Sequence, residues 1–168
     1  MPRLILFRHG KSDWGDPALE DRQRPLKRRG ERAARAMGRF LAATGQVPEQ
    51  ALASPARRAR DTLTLAAEAG GWSCPVEVVE ALYTFDDQDL LDFLKGFERP
   101  AGSLLLTGHQ PALGGLIERL AGARVRFPTA AMACLDLAIS DWRQAAPGCG
   151  ELRWLLPPKL VMKALGKI

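Results

Sequence analysis

The chain has 168 residues, 46% of them hydrophobic and 26% charged, which bounds it to one globular domain with a sizeable core. No run approaches the roughly 20 apolar residues of a membrane span, and a strand pattern begins almost at Met1, leaving no room for a signal peptide. The net charge of +5 and pI near 9.5 point weakly to an acidic partner or substrate.

Leu4-Ile5-Leu6-Phe7 is a short, wholly apolar run, the pattern of a strand buried on both faces of a parallel sheet. It stops at Arg8-His9-Gly10, a guanidinium and an imidazole at the carboxyl end of a strand, where open α/β sheets place ligands. A polar loop from Lys11 to Arg24 carries Asp13, Asp16, Glu20 and Asp21. A helix is predicted from about Lys27 to Thr44, with Ala33, Met37, Phe40 and Leu41 inward and Gly45 as its C′ residue. Arg28, Arg32, Arg35 and Arg39 recur on that helix as a solvated face or a basic stripe, with no interleaved aromatics to support an RNA platform.

Leu52-Ala53 is a short strand, and Ser54-Pro55 reads as an N-cap and first helical position. The helix after it turns Ala59, Leu63 and Ala66 inward, places Arg58 in its first turn and ends at Gly70-Gly71. A third strand is expected over Val76–Val79, continuing through Glu80-Ala81-Leu82-Tyr83. Asp86 or Asp87 caps a helix bearing Leu90, Leu94 and Phe97, closed by Arg99-Pro100. Ser103 to Thr107 is a second buried-strand run, and it ends in Gly108-His109-Gln110-Pro111 before a helix with Leu113, Leu116, Ile117 and Leu120. Both histidines of the chain thus follow apolar strands.

The β-α-β-α-β-α-β-α order predicts an α/β fold, a three-layer α/β/α sandwich around a mostly parallel sheet. Ala131–Ile139 and Leu152–Leu156 add antiparallel pairing at the C-terminal end, and Lys159–Ile168 is a short terminal segment. Cys74, Cys134 and Cys149 are odd in number and lack CxxC spacing, so they read as reduced thiols of a cytoplasmic protein. With no repeat or linker, residues 1–168 are expected to form a single domain.

Arg8, His9, Arg58 and His109 can converge on one crevice. Two arginines and two helix amino-termini around a histidine suit a tetrahedral oxyanion, phosphate being the obvious candidate. A neutral imidazole could attack phosphorus while the cations hold the equatorial oxygens. No convergent carboxylates or thiols stand at metal-ligand spacing, and Gly114-Gly115 reads as tight helix packing, not a nucleotide loop.

These stretches carry a resemblance. Arg8-His9-Gly10 with Ser12 and Trp14, Ser54-Pro55-x-x-Arg58-Ala59-x-x-Thr62, and Gly108-His109-x-Pro111 resemble, in order, the three motifs of the histidine phosphatase superfamily, the phosphoglycerate-mutase-like fold. Arg24-Pro25-Leu26, Lys11-Ser12-Asp13-Trp14 and Phe127-Pro128-Thr129-Ala130-Ala131 are most similar to its phosphohistidine phosphatase (SixA-type) branch. Gly15 departs from the mutase-type members, which carry asparagine there, and no large insertion between Glu80 and Leu104 builds a cap.

The resemblance implies a phosphatase working through a phosphohistidine intermediate on His9, with Arg8, Arg58 and His109 as the phosphate pocket and neither metal nor cofactor. Its substrate would be phosphohistidine in a protein or another small phosphorylated compound, with no nucleic acid or membrane partner. Ser12 and Arg24 are further substrate-binding candidates. Glu80 is the positional candidate for the general acid, with Asp86 behind it, or else a surface carboxylate paired with an arginine. Lys11 is either a phosphate contact or a solvated loop lysine. The competing functions are a general phosphomonoesterase or sugar-phosphate phosphatase, and a non-catalytic phosphate-binding domain.

Overall fold

A computed structural model describes residues 1–165. Six strands form one sheet in the order β3-β2-β4-β1-β5-β6: β1 Arg3–Arg8, β2 Gln50–Ala53, β3 Val76–Val78, β4 Ser103–Gly108, β5 Met132–Leu137 and β6 Gly150–Leu156. The first four are parallel, whereas β5 runs antiparallel to β1 and β6 antiparallel to β5. The helices are α1 Arg28–Ala43, α2 Arg57–Gly70, α3 Asp87–Lys95, α4 Ala112–Ala121 and α5 Pro158–Leu165. No helix among the described residues is long and apolar enough to cross a membrane.

Strand β1 is central because Leu4 to Phe7 are all fully buried, and a pleated strand points alternate side chains to opposite faces. Leu4 and Leu6 join the core under α3 and α4, while Ile5 and Phe7 join the one under α1, α2 and α5. Each such side chain contributes about 1.5–3 kcal/mol on burial. The helices therefore lie on both faces, as the alternating element order requires.

Several boundaries differ from expectation. β3 stops at Val78, and Glu80–Leu82 is a 3₁₀ turn instead of a continuing strand. This edge strand is exposed, so no buried face extends it. Ser54 does not cap α2: the helix begins at Arg57, and Ser54 Oγ accepts from the Ala56 N–H at 3.2 Å in the turn before it. Asp86 does cap α3, its Oδ1 accepting from the Gln88 N–H at 2.9 Å. That helix ends at Lys95, leaving Phe97 buried beyond it. The expected terminal segment is α5 through Leu165; residues 166–168 lie outside the described residues. All three cysteines are free.

Two close approaches set the site. A Cβ on Gly30, in the first turn of α1, would stand 2.4 Å from the Lys11 carbonyl oxygen, and one on Gly10 would stand 2.8 Å from the Gly30 carbonyl. Glycine at both positions lets the start of α1 press directly on the loop that follows β1.

Candidate active site

Because β1 and β4 are parallel neighbours with Arg8 opposite Gly108, His9 and His109 leave the sheet side by side. Their ring centroids are 5.3 Å apart. Arg58 arrives from the first turn of α2, 2% exposed, with Nη2 3.3 Å from His109 Nδ1. Thr62, one turn later, accepts the Gly10 N–H at 2.9 Å and donates to the Arg58 carbonyl at 2.6 Å, tying the loop after β1 to α2. Arg8 Nη1 donates to the Phe127 carbonyl at 3.0 Å. The Ala130 N–H reaches the His9 carbonyl at 3.0 Å. Ala130 takes φ of 60°, a left-handed conformation unusual for a residue with a Cβ, so packing around His9 must hold it.

Hydrogen bonding assigns the tautomers. His9 Nδ1 lies 2.8 Å from the Gly10 carbonyl, which can only accept, so Nδ1 carries the proton and Nε2 keeps a free lone pair. The Arg58 guanidinium can only donate, so His109 Nδ1 accepts and its Nε2–H donates to Ser54 Oγ at 2.8 Å. Burial, helped by the charge of Arg58, lowers the His9 imidazole to about 4 against the opposing pull of the Gly10 carbonyl. Burial and Arg58 likewise lower His109 to about 3. Both rings are neutral at neutral pH.

A cleft of about 250 Å³ opens over His9, lined by Arg8, Lys11, Arg24 and Arg58 with Ser12 and Asp21. Of the described residues, Asp21 is the one carboxylate on its wall, against four cations. Arg24 is placed by a short two-sided staple. The Lys27 N–H donates to the Lys11 carbonyl and the Asp13 N–H to the Pro25 carbonyl, each at 2.8 Å. Arg24 Nη1 then reaches Ser12 Oγ at 2.8 Å, and its guanidinium lies 3.4 Å over the Trp14 ring. The expected Ser12 and Arg24 therefore do line the cleft.

Asp21 was legible only as one acid in a polar loop. Its Oδ2 takes Arg58 Nη2 at 3.0 Å and the Tyr83 hydroxyl, its Oδ1 takes Arg24, and its carbonyl takes Arg58 Nη1 at 2.7 Å. Partial burial pushes this carboxyl up, but the bonds from Tyr83, Arg58 and Arg24 outweigh it and hold Asp21 well below the usual carboxylate range. Phe85 is a second unforeseen neighbour, its ring 5.1 Å from His109. Trp14, one face of which stacks on Arg24, and Phe85 are 70% and 48% exposed and stand at the mouth.

Glu80 does not join this group. It is exposed on its 3₁₀ turn, paired with Arg22 at 2.8 Å, and does not line the cleft. The hydrogen bond from Arg22 lowers its carboxyl, the opposite of what an acid catalyst needs. Asp86 is occupied in capping α3. Among the described residues no three His, Cys, Asp or Glu side chains gather as metal ligands.

Residues 4–87, half of the chain, match the model of the histidine phosphatase superfamily (branch 1). The chain belongs to that superfamily. The match contains the Arg8-His9-Gly10 and Ser54–Thr62 stretches but ends before His109, whose place beside His9 rests on the pairing of β4 with β1. The chain is 31% identical to an uncharacterised protein of Mycobacterium tuberculosis, covering 87% of this chain and 96% of that one. It is 29% identical to an uncharacterised chloroplastic protein of Arabidopsis thaliana, covering 93% and 78%. Among solved structures it is similar to the protein histidine phosphatase SixA complexed with tungstate, at 26% identity, 95% and 99% coverage and a TM-score of 0.80. Its mostly parallel sheet, in which β5 alone runs against the other strands, is thus a SixA-like histidine phosphatase fold.

Proposed function

We propose that this chain is a metal-independent phosphatase that transfers a phosphoryl group to His9 and then to water, acting as one domain on phosphohistidine in proteins. The observation that carries the reading is the bare Nε2 lone pair of His9 beneath a cleft lined by four cations and one carboxylate. A neutral imidazole is a competent nucleophile, and nothing has to be deprotonated before attack at neutral pH. As the His9 Nε2–P bond forms and the bond to the leaving group breaks, charge on the equatorial oxygens meets the guanidinium groups of Arg8 and Arg58. Water then attacks phosphorus, releasing phosphate and restoring His9. The similar SixA structure holds tungstate, a tetrahedral oxyanion, which supports a phosphate-shaped site here.

The choice of phosphohistidine rests on the leaving group. Asp21, the one carboxyl lining the cleft among the described residues, is held ionised, and Glu80 stands outside, so none of these residues is placed as a carboxylic acid to protonate an alkoxide. An imidazole leaves with far less assistance than an alkoxide. The exposed part of the Phe85 ring and the face of Trp14 opposite Arg24 offer aromatic surface to an imidazole ring at the mouth.

The test compares kcat/KM for a phosphohistidine peptide with that for common sugar phosphates and nucleotides. Brief incubation with labelled substrate should leave acid-labile, alkali-stable label on the wild type and none on His9→Ala, which should be folded and inactive. A His9→Ala protein that keeps more than a few per cent of activity would overturn the covalent step. A sugar phosphate or nucleotide preferred by tenfold or more would overturn the phosphohistidine assignment and leave the chemistry.

A further inference from the structure

A hollow about twice the volume of the cleft over His9 lies beside it. A groove of about 540 Å³, within the ~300–1,000 Å³ typical of ligand sites, runs between the first turns of α1, the 128–129 loop and the start of α5. It carries Lys11, Arg29, Arg32 and Lys159, and among the described residues no Asp or Glu lines it. None of these four cations pairs with a carboxylate among the described residues, whereas Arg35 and Arg57 nearby do. Glu31, the acid of this turn of α1, lines a different depression with Asp61 and Thr64. Between the cations the wall is apolar, from Pro128, Pro157 and Met162. Lys11 and Thr129 line both the groove and the cleft, so the two hollows are neighbours.

We propose that this groove docks a carboxylate-bearing segment adjoining the phosphorylated side chain of a protein substrate. The proposal rests on the phosphoprotein reading above and adds a sequence preference to it. Four cations without carboxylate partners among the described residues attract acidic groups, and the apolar wall beside them suits a peptide that carries hydrophobic side chains as well as carboxylates. A nucleic-acid strand fits less well, because no aromatic ring lines the groove on which a base could stack. A chain whose phosphorylated residue sits over His9 would pass Lys11 and Thr129 and continue into the groove.

The test uses two phosphohistidine peptides, one with Asp and Glu on one flank of the phosphorylated residue and one with Ser and Gln there. They are assayed on the wild type and on the variant R29E/R32E/K159E, with R32A/K159A as a milder second variant. At low salt the wild type should favour the acidic peptide by about tenfold in kcat/KM, the scale of several exposed ion pairs acting together. The variants should lose that preference, keep the wild-type rate on the neutral peptide, and keep their melting temperature. A wild type with no preference, or variants that retain it, would overturn the proposal.

A second arm measures binding of an unphosphorylated Glu-rich peptide to wild type and variants. Tighter binding by the wild type supports the groove even if neither phosphohistidine peptide is hydrolysed, in which case only the substrate assignment fails. Equal binding by all three proteins overturns the groove. So does a single-stranded oligonucleotide that displaces the peptide at lower concentration than the peptide's own.

Discussion

Acidification should destabilise this fold well before its carboxylates titrate, and the two histidines should be the reason. In the native state His9 and His109 stay neutral down to about 4 and about 3, because burial and the nearby Arg58 disfavour the imidazolium. In the unfolded chain each titrates near 6.5, so between those values the unfolded state binds two more protons than the native state. The native pKa values are lowered, so stability is full above pH 6.5 and is lost as pH falls. The full slope is about 1.4 kcal/mol per pH unit for each ring. From pH 7 to pH 5 that amounts to about 2 kcal/mol each, or roughly 4 kcal/mol together. For a chain of this size the loss is a melting-temperature drop on the order of 10 °C. Asp21, whose carboxyl is held low, loses its contribution only as pH falls below its ordinary value near 4, outside this window. Calorimetry at pH 7 and pH 5 measures the drop on the wild type and on His9→Asn/His109→Gln, which keeps a polar atom at Nδ1 of the first ring and Nε2 of the second. The chain has no other histidine, so the double variant should lose most of the pH dependence. An equal drop in both proteins would refute the assignment of two buried neutral imidazoles.

Arg58→Ala should lower phosphoryl transfer by roughly 10²–10³-fold, the usual effect of losing one preorganised donor, and weaken inhibition by vanadate; unchanged inhibition would place the oxyanion elsewhere. Asp21→Asn removes the carboxylate 3.0 Å from Arg58 Nη2 and should tighten vanadate binding by about tenfold, a modest share of the ~1–4 kcal/mol that one charge exerts at such range near a surface. Weaker vanadate binding would mean instead that Asp21 chiefly positions Arg58. Gly30→Ala forces a Cβ to within 2.4 Å of the Lys11 carbonyl, so denaturant unfolding should show a loss of about 1–3 kcal/mol, with activity reduced through the displaced loop. Unchanged stability and rate would show that α1 does not buttress His9.

Much of this molecule is written locally. The apolar runs Leu4–Phe7 and Leu104–Leu106 are strands because their neighbours bury both faces, and a run with no polar period leaves few alternatives. Arg8, His9, Arg58 and His109 stand beside strand ends or helix starts, positions that chain order alone reveals. The three stretches holding them were sufficient to mark the superfamily, and the match over residues 4–87 agrees. Glu80 is the surface carboxylate paired with an arginine that the sequence allowed as its second reading; it is the expected strand through Glu80–Tyr83 that the structure replaces with a 3₁₀ turn. Only an exposed edge with no partner beyond Val78 ends the strand there.

Tertiary structure decided what local sequence could not. That β4 pairs with β1, bringing two histidines separated by 99 intervening residues within 5.3 Å, depends on which strands share the sheet's centre, a matter of the whole core's packing. The tautomers of both rings follow from a carbonyl and a guanidinium that only the folded chain presents. Asp21 looks like any loop acid until the Arg24–Ser12 staple and Arg58 gather around it, because the charge a side chain meets depends on distance through space and not along the chain. The basic groove is of the same kind: α1 supplies Arg29 and Arg32, α5 supplies Lys159, and nothing in either helix alone shows that they face one hollow.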